Sequence, residues 1–354
     1  MHARLNAALT ALLAAALFGA TTPLAKLLLG TLSPFMLAGL FYLGSGVGLG
    51  LTILARRAVR TEQAQHHESK IQKTEIPWLA GAIIAGGVAG PALLMLGLTS
   101  TPAATGSLLL NLEGVFTAII AWVVFRENVD RQIFLGMVAI VAGGVLLSWK
   151  SGAATGLPIG ALLVAGACVC WAIDNNLTRK VSTNDAMVIA CLKGLVAGPV
   201  NLVIAHLLGA SAPGVGQAAA AMATGFAGYG VSLVLFIVAL RNLGTARTGA
   251  YFSVAPLFGV ALSLALWPAM PSPLFWCAAA LMAIGVWLHL RERHEHAHTH
   301  EPLQHTHRHR HDQHHQHEHD FEWDGAEPHT HPHRHAAIAH THAHYPDIHH
   351  RHSH

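Results

Sequence analysis

Residues 76–112 read IPWLAGAIIAGGVAGPALLMLGLTSTPAATGSLLLNL, and not one of them is Asp, Glu, Lys or Arg. A helix crosses the hydrocarbon of a bilayer with about 20 mainly apolar residues. This stretch is long enough to cross more than once, and a buried soluble core has no need of such length. Two further stretches, 194–240 and 248–290, are equally free of charge. Across all 354 residues, 53% are hydrophobic and 11% are charged, against about 25% charged in soluble domains. The chain therefore reads as an all-α polytopic membrane protein with the lipid bilayer as its first partner. Its net charge of +3 averages an apolar body and a polar tail, and no nucleic-acid surface is expected.

Glycine, proline and charged residues divide the body into ten helices, expected near 5–29, 33–55, 77–98, 103–125, 132–149, 157–179, 185–208, 217–240, 246–267 and 272–290. The first is too long, and lacks a cleavage site, for a removable signal peptide. One set of alternate connections carries Arg4, Arg56, Arg57, Arg60, Lys70, Lys73, Arg126, Arg131, Arg179, Lys180, Arg241, Arg247, Arg291 and Arg293, while the other carries Lys150, with Lys26 near a helix end. Cytoplasmic loops are the basic ones, so both termini are expected in the cytoplasm and the chain in the inner membrane. FGATTPLAK at 18–26 lies over WAIDNNLTR at 171–179, and LEGVF at 112–116 over VAPLF at 254–258. Five helices per half is an odd number, so the second half enters from the opposite side. That is the inverted repeat of many secondary transporters. The expected units are 1–149, 150–290 and a tail at 291–354.

FGATTPLAK in the first helix and TPAATGSLLLNLEGVFTAIIAWVVFRENV at 101–129 resemble the EamA-like branch of the drug/metabolite transporter superfamily. LGTARTGAYFSVAPLFGVALSLALW at 243–267 is similar to its second copy. The resemblance covers about residues 5–290. It implies a ten-helix secondary transporter, commonly an exporter of small metabolites, without an ATP site. Two departures stand out: Gly114 occupies the position where the first repeat usually has proline, and the second repeat lacks a counterpart of Glu127. No G-x-x-x-x-G-K-[ST] loop occurs, and no nucleophile–base arrangement suggests an enzyme.

An ionisable side chain at membrane depth costs about 2.5–3.5 kcal/mol on insertion scales. Those present mark the expected substrate pathway. Asp174, Asn175 and Asn176 stand together in the sixth helix, opposite Thr21 and Thr22 of the first, where Pro23 frees a backbone carbonyl. Lys193 lies at similar depth in the seventh helix, either as a structural partner of Asp174 or as the group that tunes a proton-coupling acid. Glu113, beside Asn111 in the fourth helix, is expected to face a cavity. Gly90-Pro91 and Gly228-Tyr229-Gly230 mark expected breaks in the third and eighth helices. The four cysteines, Cys168, Cys170, Cys191 and Cys277, all lie in apolar stretches and read as small buried hydrophobes.

Beyond residue 290 the composition inverts. Twenty-three of the 28 histidines lie from His294 onward, in a segment too polar to form a core and so expected to be disordered. Flexible His-rich tracts bind metal, and imidazole suits zinc, nickel, cobalt or copper without selecting among them. The expected ligands are His294, His296, His298, His300, His305, His307, His309, His311, His314, His315, His317 and His319. No cofactor is required by the body. Three functions follow: a metal exporter or metal-regulated transporter, an amino-acid or small-metabolite exporter whose tail only buffers or senses metal, and a non-transporting metal sensor or store. A homodimer is compatible with all three.

Overall fold

The computed structural model describes residues 2–59, 71–125, 131–148, 159–181, 184–243 and 251–290, together with 295–300, 304–309, 329–334 and 338–343 of the tail. Helices account for the described body, as lipid requires of a spanning chain, because each helix satisfies its own backbone groups. They are α1 (His2–Leu28), α2 (Pro34–Val59), α3 (Ile76–Ala82), α4 (Gly90–Ser100), α5 (Ala103–Leu109), α6 (Leu112–Phe125), α7 (Arg131–Ser148), α8 (Ile159–Thr178), α9 (Ala186–Leu207), α10 (Val215–Gly225), α11 (Ser232–Leu243), α12 (Ala255–Leu266) and α13 (Pro273–Leu290). Among the described residues, seven helical runs are long and apolar enough to cross a membrane, and 134–147, 255–266 and 273–288 are shorter apolar helices. Each of the ten expected positions is thus helical. Leu51, Ile84, Val123, Ile159 and Leu207 are exposed, an outward apolar coat that suits lipid and would be a liability in water.

Three of the long runs are not regular. A π-helical turn, Ile83–Ala89, joins α3 to α4, and a second, Phe226–Val231, joins α10 to α11. They fall in the third and eighth helices, where the sequence places breaks. The fourth helix is interrupted at Leu110–Asn111, between α5 and α6. In the ninth, a turn at Ser253–Val254 precedes α12, whose first turn carries Pro256.

Glycine sets how closely the helices approach. Where α2 crosses α9, a side chain at Gly46 would meet the backbone of Gly194 and Leu195, and one at Gly198 would meet the backbone of Leu43. Small residues at such crossings let backbones touch and gain dispersion contact where lipid offers no hydrophobic drive. Below this crossing lies a core built on Leu37, Phe41, Leu94, Met95 and Leu98.

The body is all-α as expected, and in the tail the described residues form short strands. Strand β1 (Glu295–His300) pairs antiparallel with β4 (Ile338–Ala343), and β2 (Gln304–His309) with β3 (His329–Arg334). Histidine at every second residue has the period of a strand. Composition alone, low in apolar content, hides that period. His294, His311, His314, His315, His317 and His319 lie outside the described residues.

Candidate functional site

The site grows from one proline. Pro91 has no N–H, so neither Gly87, its partner in α-helical spacing, nor Gly86, its partner in π-helical spacing, can receive a main-chain bond from it. Both carbonyls are buried, and an unpaired buried carbonyl is costly. Side chains from three other helices supply the donors. The Tyr42 hydroxyl of α2 donates to Gly86 O at 2.7 Å, and Trp171 Nε1 of α8 donates to the same oxygen at 3.0 Å. Asn201 Nδ2 of α9 donates to Gly87 O at 3.1 Å. The π-helical turn is therefore a junction of four helices.

Asp174 meets the same turn from the other side. Its carboxylate occupies the space a side chain at Gly86 would need, so the acid reaches the turn because residue 86 has no Cβ. Lys193 Nζ lies 2.5 Å from Asp174 Oδ1, and the two side chains are 16% and 12% exposed, mostly withdrawn yet reachable. Thr178 completes a closed triad: its hydroxyl donates to Asp174 Oδ1 at 2.8 Å and accepts from Lys193 at 2.9 Å. Asp174 sits one turn before the end of α8, and Lys193 about two turns into α9. These ends adjoin in the chain, which places the triad toward one end of the bundle.

Beside it, Asn175 Nδ2 donates to Glu113 Oε1 at 2.9 Å and approaches Thr117 Oγ1 at 3.4 Å. Glu113 stands in the first turn of α6, just past the break, and is half-buried, while Asn175 is exposed. Asn176 donates to Ala172 O at 2.8 Å and keeps a buried Oδ1 without a partner. Of the expected pathway residues, the structure thus brings Asp174 to Lys193 and Asn175 to Glu113, in neighbouring clusters on α8. Asn111 does something else: it donates to Leu108 O at 2.9 Å and closes the α5 end at the break.

Thr21 and Thr22 are buried on α1. Thr21 donates to Phe18 O at 2.6 Å, and its methyl fills the space beside Gly228 in the second π-helical turn. Thr21 thus meets Gly228 as its repeat counterpart Asp174 meets Gly86. One cluster carries charge and the other is neutral and aromatic: Tyr229 packs at 6.0 Å from Phe18 and 5.3 Å from Tyr42, centroid to centroid. Tyr42 links the two clusters, touching Tyr229 with its ring and the first π-helical turn with its hydroxyl. The carbonyl that Pro23 leaves free, Gly19 O, lies against Gly259 of α12, so it faces a helix and not an open space for a cation. Tyr42, Trp171, Thr117, Thr178 and Tyr229 carry this geometry without a signal of their own in the sequence, where aromatic and hydroxyl side chains among apolar residues read as packing.

Two hollows lie elsewhere among the described residues. An open apolar groove of about 520 Å³ runs between α2 and α10, past Gly48, Leu51 and Phe226. A more polar one of about 270 Å³ lies at the far ends of α1 and α9, by Ser33, Ser211 and Gln217. Neither touches the Asp174 triad. Among the described residues, no group of three or more His, Cys, Asp or Glu is placed to hold a metal ion.

The model of the EamA-like transporter family matches residues 5–149 and again 158–291. An uncharacterized transporter of Methanothermobacter thermautotrophicus is 28% identical over 252 residues, which is 68% of this chain and 74% of that protein. The uncharacterized transporter YyaM of Bacillus subtilis is 26% identical over 266 residues, 70% of this chain and 82% of that one. A crystal structure with 21% sequence identity superposes with a TM-score of 0.58 over 80% of this chain and 96% of its own, a likeness of fold.

Proposed function

The chain belongs to the EamA-like transporter family, a membrane transporter and not an enzyme, and from that premise we propose a secondary exporter of small polar metabolites, amino acids among them, whose tail captures divalent metal and adjusts transport. Two inverted five-helix units form its body. The paired irregularities support that arrangement: π-helical turns in the third and eighth helices, interruptions in the fourth and ninth. The substrate meets Asp174, Lys193, Glu113 and Asn175, and Thr21 and Tyr229 form the neutral side of the path. Both termini and the tail lie in the cytoplasm of an inner membrane, on the strength of the basic loops.

One observation carries the choice of substrate class. Lys193 already holds the Asp174 carboxylate at 2.5 Å. A divalent cation entering there would have to displace an ammonium group, whereas a zwitterion can exchange partners with both charges. Glu113, which accepts from Asn175, is in this reading the carboxylate that trades a proton for substrate.

A second reading, export of zinc, nickel or cobalt itself, is favoured by the 23 histidines from His294 onward. Flux of radiolabelled amino acids and of labelled metals in proteoliposomes, with and without a proton gradient, separates the two. Amino-acid flux that collapses with the gradient supports the first reading. Metal flux without amino-acid flux establishes the second.

A further inference from the structure

The four tail strands share one register. Glu295 faces Ala343 and His300 faces Ile338 in the outer pair; Gln304 faces Arg334 and His309 faces His329 in the inner pair. Three residues separate the pairs on each arm, 301–303 and 335–337, so the inner pair continues the numbering of the outer one without a slip. Along this ladder histidine stands opposite histidine: His296 and His342, His298 and His340, His305 and His333, His307 and His331, His309 and His329. His300, opposite Ile338, is the exception.

The opposition survives a change of phase. Alternation breaks once on the first arm, where four residues separate His300 from His305, and once on the second, where four separate His335 from His340. A break on one arm alone would set every later histidine against threonine, alanine or arginine. Opposed residues in an antiparallel pair share a face, with Cβ atoms about 4.5–5.5 Å apart, and residues two apart on a strand share that face too.

We infer that the tail is a register-specific binding site for divalent transition metal, in which the outer cluster of His296, His298, His340 and His342 and the inner cluster from His305 to His333 each take an ion between the two arms. This rests on the reading of the tail as metal-binding and goes beyond a loose chelator. The described residues hold no ready-made group of three ligands. What the register supplies is backbone proximity, and the imidazoles close when the ion arrives. A lone two-stranded pair is marginal in water, so ion binding and arm pairing stabilise one another. Four imidazoles suit the tetrahedral preference of zinc.

The test is a zinc titration of the full chain in detergent against a chromophoric chelator. The variant A339H/H340A/T341H/H342T keeps every histidine but moves the outer pair of the second arm by one residue. Adding H296A/A297H/H298T/T299H moves the first arm to match. The first variant is expected to lose one tight equivalent of zinc and the combined variant to regain it. The outer pair contains no proline, so neither change disturbs a fixed backbone position. Equal tight binding by all three chains overturns the register while leaving the tail a chelator. If the full chain takes up no more zinc than one ending at Leu290, metal binding by the tail fails and the register with it.

Discussion

Asp174 and Lys193 are a mostly buried pair, and such pairs are weak contributors to stability but costly to break from one side. Asp174→Asn leaves the Lys193 ammonium without an opposing charge, a loss of up to about 3–5 kcal/mol for a fully buried charge and less where water reaches. Asp174→Asn with Lys193→Gln removes both charges, and thermal unfolding in detergent is expected to recover toward the parent while flux stays absent. Full flux in either folded variant would remove the pair from the pathway. Glu113→Gln keeps shape and an acceptor for Asn175 but takes no proton; its flux is expected to lose dependence on a proton gradient, measured in proteoliposomes at fixed substrate. At this scale the sequence was informative about charge and silent about partners. Asp174, Lys193 and Glu113 stand out because ionisable groups are expensive in lipid. Thr178 and Thr117 look like helix surface until the fold brings Lys193 to the first and Asn175 to the second. Asn111 has the chemistry of a ligand, yet its place at a break makes it a cap.

The first π-helical turn is a device of one element that four elements complete. Gly86 O receives both Tyr42 and Trp171. Removing one donor leaves the other, so Tyr42→Phe or Trp171→Phe alone is expected to cost about 0.5–1.5 kcal/mol. Together they orphan a buried carbonyl, and the double variant should lose more than the two losses added, as a double-mutant cycle of unfolding free energies reads directly. Gly86→Ala drives a methyl into the Asp174 carboxylate and should impair both stability and flux, with overpacking costing about 1–3 kcal/mol. The break expected at Gly90-Pro91 was legible, but its position was displaced. Proline disturbs the carbonyls that precede it by four or five residues, so the irregular turn lies at 83–89 and not at the proline itself. In the eighth helix, Gly228, Tyr229 and Gly230 lie inside the second turn as marked.

Over the whole molecule, hydropathy is the strongest signal, and it located the described helices of the body because lipid leaves few alternatives to helix. The tail was harder. Its polarity argued for disorder, and its two-residue alternation, visible in the same letters, argued for strands; pairing between arms 20 to 48 residues apart leaves no local trace. The proposed function makes body and tail separable, with the intramembrane carboxylates assigned to transport and the histidines to its adjustment. Efflux of labelled amino acids from proteoliposomes bearing the chain ended after Leu290, with and without Asp174→Asn, tests this most directly. Gradient-driven flux is expected from the shortened chain, and none once Asp174 is replaced in protein that still unfolds cooperatively. Flux that vanishes with the tail, or persists undiminished without the Asp174 carboxylate, would contradict it.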